Sequence, residues 1–220
     1  MVGNDIVDLQ FFEAPPYRHV GYLDRICQPG EAESVRQSEC APRSLAAVWA
    51  CKEAAFKLIS RDSKQPHFVP REFVTDFGAF GFTALDRNRS VLHGKTRVSV
   101  ELFLGAQWIH AVATFPGQVA RWRVAPIGHG PGSPASPRAE SEAARRLARE
   151  LCLECGFESL KEAQETGRAP FGRMHAARGD VAISLSHHGG FAAAAVAWTS
   201  GQVVQDARSD PRERCSTCTA

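Results

Sequence analysis

The chain has 220 residues, of which 44% are hydrophobic and 23% charged, with a net charge of +2. That is enough for one large domain or two small ones whose core needs no covalent staples, and too apolar for wholesale disorder. The near-balanced, evenly spread charge leaves no footprint for nucleic acid, and no apolar run approaches the ~20 residues of a membrane span. The opening segment MVGNDIVDL lacks a basic region and carries Asp5 and Asp8 inside its apolar stretch, so it does not read as a signal peptide. The expected location is the cytoplasm, where the seven cysteines, an odd number, stay reduced.

Val2 to Leu9 suits a buried strand. Ser44 is the expected cap of a helix running SLAAVWACKEAAFKLIS, with Leu45, Val48, Ala55, Phe56 and Ile59 near helical spacing. Asp62 to Leu92 reads as an insert. TRVSVELFL and WIHAVATF, split by Gly105-Ala106-Gln107, predict a hairpin. Residues 125–138, APIGHGPGSPASPR, have the composition of a linker. A second helix is expected from Ser141 to Cys155, with Ala144, Ala148, Leu151 and Cys155 on one face and Gly156 as its stop. VAISLSH and FAAAAVAW flank His188-Gly189-Gly190 as another hairpin, and the polar tail from about Gln205 is expected to be disordered or frayed. Each half thus reads as a helix plus an antiparallel hairpin, which predicts an α+β protein with a pseudo-two-fold pair of subdomains. The expected division is 1–124, a linker at 125–138, 139–204, and a tail at 205–220.

Three clusters can carry chemistry. In Gly3-Asn4-Asp5, a carboxylate on a strand after a glycine can reach a cation or phosphate, although strand-end aspartates commonly serve turns and caps. Trp49, Glu53 and Lys57 share one helix face at i, i+4 and i+8. Glu53 and Lys57 are either an exposed pair or a hard oxygen ligand beside a phosphate-binding cation. Ser184-Leu185-Ser186-His187-His188-Gly189-Gly190 offers hydroxyl, imidazole and backbone donors without bulk, which suits a phosphate and equally a polar turn.

Together these segments resemble the 4'-phosphopantetheinyl transferase superfamily. Gly3-Asn4-Asp5 matches its G-x-D, Trp49-Ala50-Cys51-Lys52-Glu53-Ala54-Ala55-Phe56-Lys57 its W/F-x-x-K-E-x-x-x-K, and Ser184-Leu185-Ser186-His187 its S-x-S-H. Gly167-Arg168-Ala169-Pro170-Phe171 looks like the G-[KR]-P-aromatic segment with one residue inserted. The order of the halves is exchanged relative to the two-domain, surfactin-synthetase-activating type, so the resemblance implies a monomeric pseudodimer with its site in the cleft between halves. It also implies transfer of the phosphopantetheine arm of coenzyme A to a serine of an acyl, polyketide or peptidyl carrier protein, releasing adenosine 3',5'-bisphosphate. By the same resemblance, Mg²⁺ is held by Asp5 and Glu53, and Lys57 lies on the pyrophosphate. Glu53 or a metal-bound water takes the serine proton, and Arg168, Ser186 and His187 receive the 3'-phosphate. Val7 stands where two-domain members carry a second acid, as it does in the small synthases. Asp8 is not placed on the metal, and Glu31 occupies a position where the family often has an acid ahead of the helix motif.

Two other readings compete. One is a catalytically inactive homologue that binds a carrier protein. The other is a zinc-binding module through Cys152-x-x-Cys155 and Cys215-x-x-Cys218, whose 59-residue separation (156 to 214) exceeds the usual ~12–20. Stoichiometric zinc would favour the module, and Mg²⁺-dependent turnover the transferase.

Overall fold

A computed structural model describes residues 1–12, 20–60, 67–76, 88–128, 136–157, 172–176 and 179–199. The uniformly buried opening segment forms strand β1 (Val2–Asp8), followed by the short helices α1 (Leu9–Phe12), α2 (Val20–Ile26) and α3 (Pro29–Gln37). Helix α4 spans Ala41–Ile59, so it starts three residues before the expected Ser44 cap. Pro42 sits in the first turn, where a missing N–H costs nothing and its fixed φ suits the helix, and Ser44 is buried inside. Strands β2 (Phe73–Thr75) and β3 (Asn88–His93) occupy parts of the expected insert. The expected hairpin is β4 (Thr96–Leu104) and β5 (Trp108–Thr114), in register Leu104↔Ile109. The five strands form an antiparallel sheet in the order β1-β5-β4-β3-β2.

Strand β6 (Gln118–Pro126) belongs to the second sheet, so the chain changes sheets at the turn around residues 115–117. With β7 (Gly172–Ala176), β8 (Gly179–His188) and β9 (Phe191–Thr199) it is ordered β6-β9-β8-β7, also antiparallel. Of residues 125–138, the first two lie in β6 and the last two in α5 (Pro137–Glu154), while 129–135 fall outside the described residues. Helix α5 begins four residues before the expected Ser141. The Ser136-Pro137 pair inside the linker-like composition is its start signal, with Ser136 Oγ accepting the Ala139 N–H at 3.2 Å. Gly156, at φ 77°, ends it as expected. The tail from Gln205 lies outside the described residues.

Side-chain alternation stacks these parts in four layers. Val7, Ile109, Ala111 and Ala113 face α4, which meets them with Ala47, Ala50, Ala54 and Leu58. The opposite face, with Val2 and Val112, meets Ala195 and Ala197 of the second sheet. Ala192, Ala194 and Val196 point the other way, onto Leu147, Leu151 and Cys152 of α5. The alanine-rich run is thus a central strand covered on both faces, where small side chains let the layers close up.

Gly3 shows how tight this is. A Cβ there would stand 2.0 Å from the Ala54 carbonyl oxygen and 2.7 Å from the Leu58 nitrogen. Gly3→Ala therefore has to push β1 off α4, and overpacking of this kind costs about 1–3 kcal/mol or more. Chemical denaturation should show that loss; wild-type stability in the variant would contradict this packing.

Candidate active site

The alternation that aims Gly3 at α4 aims Asp5 there too, beside Glu53 and Lys57. Lys57 Nζ donates to Asp5 Oδ1 at 2.7 Å and lies 3.4 Å from Glu53 Oε1, the i, i+4 pair of the same helix. Two carboxylates thus share one ammonium, leaving a net negative charge in a site where the Asp5 side chain is only 7% exposed. Burial, reinforced by Glu53, pushes the Asp5 carboxyl up to about 7 against the pull of Lys57. Burial works against the Lys57 charge as well, but Asp5 and Glu53 outweigh it and hold the ammonium above its usual range. Among the described residues no group of three or more His, Cys, Asp and Glu side chains forms a cage for a metal ion. The hard-oxygen pair suits Mg²⁺, which needs only one or two protein carboxylates when waters and substrate phosphates complete its octahedron.

Strands β8 and β9 bring the second motif to the end of β1, at Asp8. Their two-residue turn, Gly189-Gly190, has Gly189 at φ 56°, a conformation that glycine adopts without strain. Asp8, at the end of β1, grips it: its N–H donates to His188 Nδ1 at 3.0 Å, and its Oδ2 accepts the Gly190 N–H at 2.9 Å. Its other oxygen accepts the Gln10 N–H, so the carboxylate is committed to joining the halves. Burial lowers His188 below the ordinary imidazole range, while the charges of Asp8, Glu53 and Glu140 oppose that shift. The charge of Glu53, on the helix motif, thus acts on His188 of the hairpin.

Within β8, Ser184 and Ser186 face β1, where both hydroxyl oxygens accept hydrogen bonds from Asn4. His187 leaves the opposite face, and its Nδ1 stands 3.0 Å from Glu140 Oε2 in the first turn of α5. Asp5, Glu53 and Lys57 are thus brought together, while Ser186 and His187 project to opposite sides of their strand. Arg168 and the segment Gly167–Phe171 lie outside the described residues.

The sequence profile of the 4'-phosphopantetheinyl transferase superfamily matches residues 1–113. The chain belongs to this superfamily. Among curated proteins no sequence matches it. A similar solved structure is the holo-acyl-carrier-protein synthase of Neisseria meningitidis, at 21% identity and a TM-score of 0.41, covering 51% of this chain and 96% of that one.

In this superfamily member the first lysine of the K-E-x-x-x-K segment turns away from Glu53. Lys52 is fully buried, donating to Glu31 Oε2 at 2.6 Å, the Ile26 carbonyl at 2.8 Å and the Pro70 carbonyl at 3.2 Å. Glu31 also accepts the backbone N–H groups of Gln28 and Thr75, each at 2.7 Å, and the Thr75 hydroxyl. The acid ahead of the helix motif thus anchors Lys52, the residue beside Glu53. Cys152 and Cys155 are buried thiols pushed up to about 12 and about 11 by burial, and they pack as small apolar groups; Cys215 and Cys218 lie outside the described residues.

Sequence reasoning missed Asn4, His110 and Glu140. Asn4 announces itself as the amide in a strand that is otherwise apolar or acidic. Glu140 was hidden by the linker composition that masked the start of α5.

Proposed function

We propose that this protein is a Mg²⁺-dependent phosphopantetheinyl transferase that moves the 4'-phosphopantetheine group of coenzyme A to a carrier-protein serine, its site lying in the cleft between the two halves. The observation that carries this reading is the Asp5–Lys57–Glu53 cluster, two carboxylates on one buried ammonium, set beside the β8–β9 hairpin. The same connection order in both sheets, with each first strand paired to its last, supports a pseudo-two-fold relation and a monomeric pseudodimer. No helix among the described residues is long and apolar enough to cross a membrane, and a cytoplasmic location fits the substrates proposed. The pyrophosphate-binding half then passes into the 3'-phosphate-binding half at the turn around residues 115–117, and residues 125–138, expected as the linker between halves, fall within the second half.

In the reaction, the serine Oγ forms a bond to the phosphorus that bears pantetheine, and the bond from that phosphorus to the bridging oxygen breaks. The bridging oxygen leaves with adenosine 3',5'-bisphosphate. Asp5 and Glu53 would hold Mg²⁺, which when bound would supply neutralisation of the pyrophosphate charge. Lys57 adds a fixed positive charge to the same phosphates, already oriented by Asp5. The Glu53 side chain is 26% exposed, enough for an incoming serine to approach, and it takes the hydroxyl proton. We assign the 3'-phosphate to His187, whose Nδ1 is turned to Glu140, together with Ser186 and Arg168; because Ser186 and His187 leave opposite faces of β8, the phosphate would have to straddle that strand at its β8–β9 end.

The test uses the non-reacting end of the substrate. His187→Ala should raise the KM for coenzyme A about ten- to a hundredfold, as expected for loss of a charged hydrogen bond, while kcat changes little. The variant should also lose most of the preference for coenzyme A over 3'-dephospho-coenzyme A. Undiminished preference would remove His187 from the 3'-phosphate site.

A further inference from the structure

The four buried polar side chains at the sheet–sheet interface form one group around Asn4, which is fully buried, as are His110 and Ser184; Ser186 is 5% exposed. Strand β1 is an edge strand, and its outward Asn4 N–H donates to Ser184 Oγ at 3.0 Å. The Asn4 side-chain Nδ2 lies 3.1 Å from Ser186 Oγ and 3.2 Å from His110 Nε2. Asn4 Oδ1 and His110 Nδ1 have no hydrogen-bond partner among the described residues. In this orientation one acceptor and one donor are stranded. The reversed amide would strand both hydrogens of Nδ2 and also leave His110 Nδ1 unpaired, so the orientation described is the better satisfied. Burial first, then the charge of Lys57, holds His110 down at about 3, so the ring is neutral, and with the Asn4 Nδ2 group facing it Nε2 is the accepting nitrogen.

The consequence falls on Ser186. Because its oxygen accepts from Asn4, the hydroxyl proton is left to donate elsewhere. We propose that Asn4 is a positioning residue for the 3'-phosphate end of the cleft: it holds Ser184 and Ser186 by their oxygens, one residue away from Asp5 in β1, and presents the Ser186 hydroxyl as a donor to the phosphate. This rests on the reading of Ser186 given above. Asn4 thereby fixes the reach between the carboxylate that holds the cation and the hydroxyl that holds the far phosphate, across two sheets that share no backbone ladder.

The test measures kcat/KM for coenzyme A against 3'-dephospho-coenzyme A in Asn4→Ala, Asn4→Asp, Ser186→Ala and the Asn4→Ala, Ser186→Ala double variant. Each single variant should cut the preference for the 3'-phosphorylated substrate about three- to tenfold, the worth of one hydrogen bond. Asn4→Asp should do so because a carboxylate accepts only and draws the Ser186 proton to itself. The double variant should lose no more than Ser186→Ala alone. A merely structural role would lower both substrates equally and leave their ratio intact. Asn4→Leu with His110→Phe keeps the interface filled and removes both stranded atoms, so it folds even if Asn4→Ala does not, and the same loss of preference is expected. If Ser186→Ala loses the preference and the Asn4 variants keep it, the positioning role is overturned while the Ser186 assignment stands. If Ser186→Ala itself keeps the preference, both fall.

Discussion

Asp5→Ala and Glu53→Ala should each abolish phosphopantetheinyl transfer, lowering kcat/KM by at least about a thousandfold. Each removes one of the two carboxylates proposed to hold the cation, and metal-borne charge neutralisation contributes several kcal/mol to the transition state. Neither change opens a cavity in the apolar core. Asp5→Ala relieves a carboxyl that burial has pushed up to about 7 but takes from Lys57 its closer partner and leaves it Glu53, so the variant should stay folded. Glu53→Gln separates shape from charge, because it keeps the packing and loses both the anionic ligand and the base. Activity near wild type in any of the three at limiting Mg²⁺ would take that residue out of the site.

Lys52→Ala should have the opposite profile, with a large loss of stability and no selective loss of substrate affinity. Its ammonium is fully buried and satisfies Glu31 together with the carbonyls of Ile26 and Pro70. Burial pulls the Lys52 ammonium below its usual range, while Glu31 counters the shift. Removing it leaves a carboxylate in the interior with its charge uncompensated, which costs about 3–5 kcal/mol. Replacing both partners by apolar residues of similar volume, Lys52→Met with Glu31→Leu, should recover a large part of that loss, although the Thr75 and Gln28 donors then lose their acceptor. Urea denaturation of the single and double variants reads this directly. A Lys52→Ala protein as stable as wild type would show that the pair contributes nothing.

The elements most legible in the sequence were those whose periodicity and punctuation agree. The α4 and α5 apolar faces, the β4–β5 hairpin at Gly105 and the β8–β9 hairpin at Gly189-Gly190 all stand where the pattern puts them. Helix starts were less legible, because Cys40 and Ser136 precede prolines in stretches whose composition suggests loops. Strand β6 reads as part of the first half and pairs in the second sheet, since backbone pairing across 65 residues or more leaves no local mark on the sequence. At the site, the i, i+4 spacing identified Glu53 and Lys57, and the partnership of Lys57 with Asp5 follows only from the packing of β1 on α4. Asp8 shows the same limit. Its sequence context excludes it from the metal, and only the structure reveals it as the clasp between β1 and the β8–β9 turn.

The most direct measurement incubates the full chain with an apo-carrier protein, coenzyme A and Mg²⁺, and follows carrier mass and adenosine 3',5'-bisphosphate in the same reaction. The expected result is one phosphopantetheine gained per carrier serine for each adenosine 3',5'-bisphosphate released, with both products absent when Mg²⁺ is chelated. Release of the nucleotide without gain of carrier mass, or transfer that persists at full rate in Asp5→Ala, would contradict the assignment of this cleft as a phosphopantetheinyl transferase site.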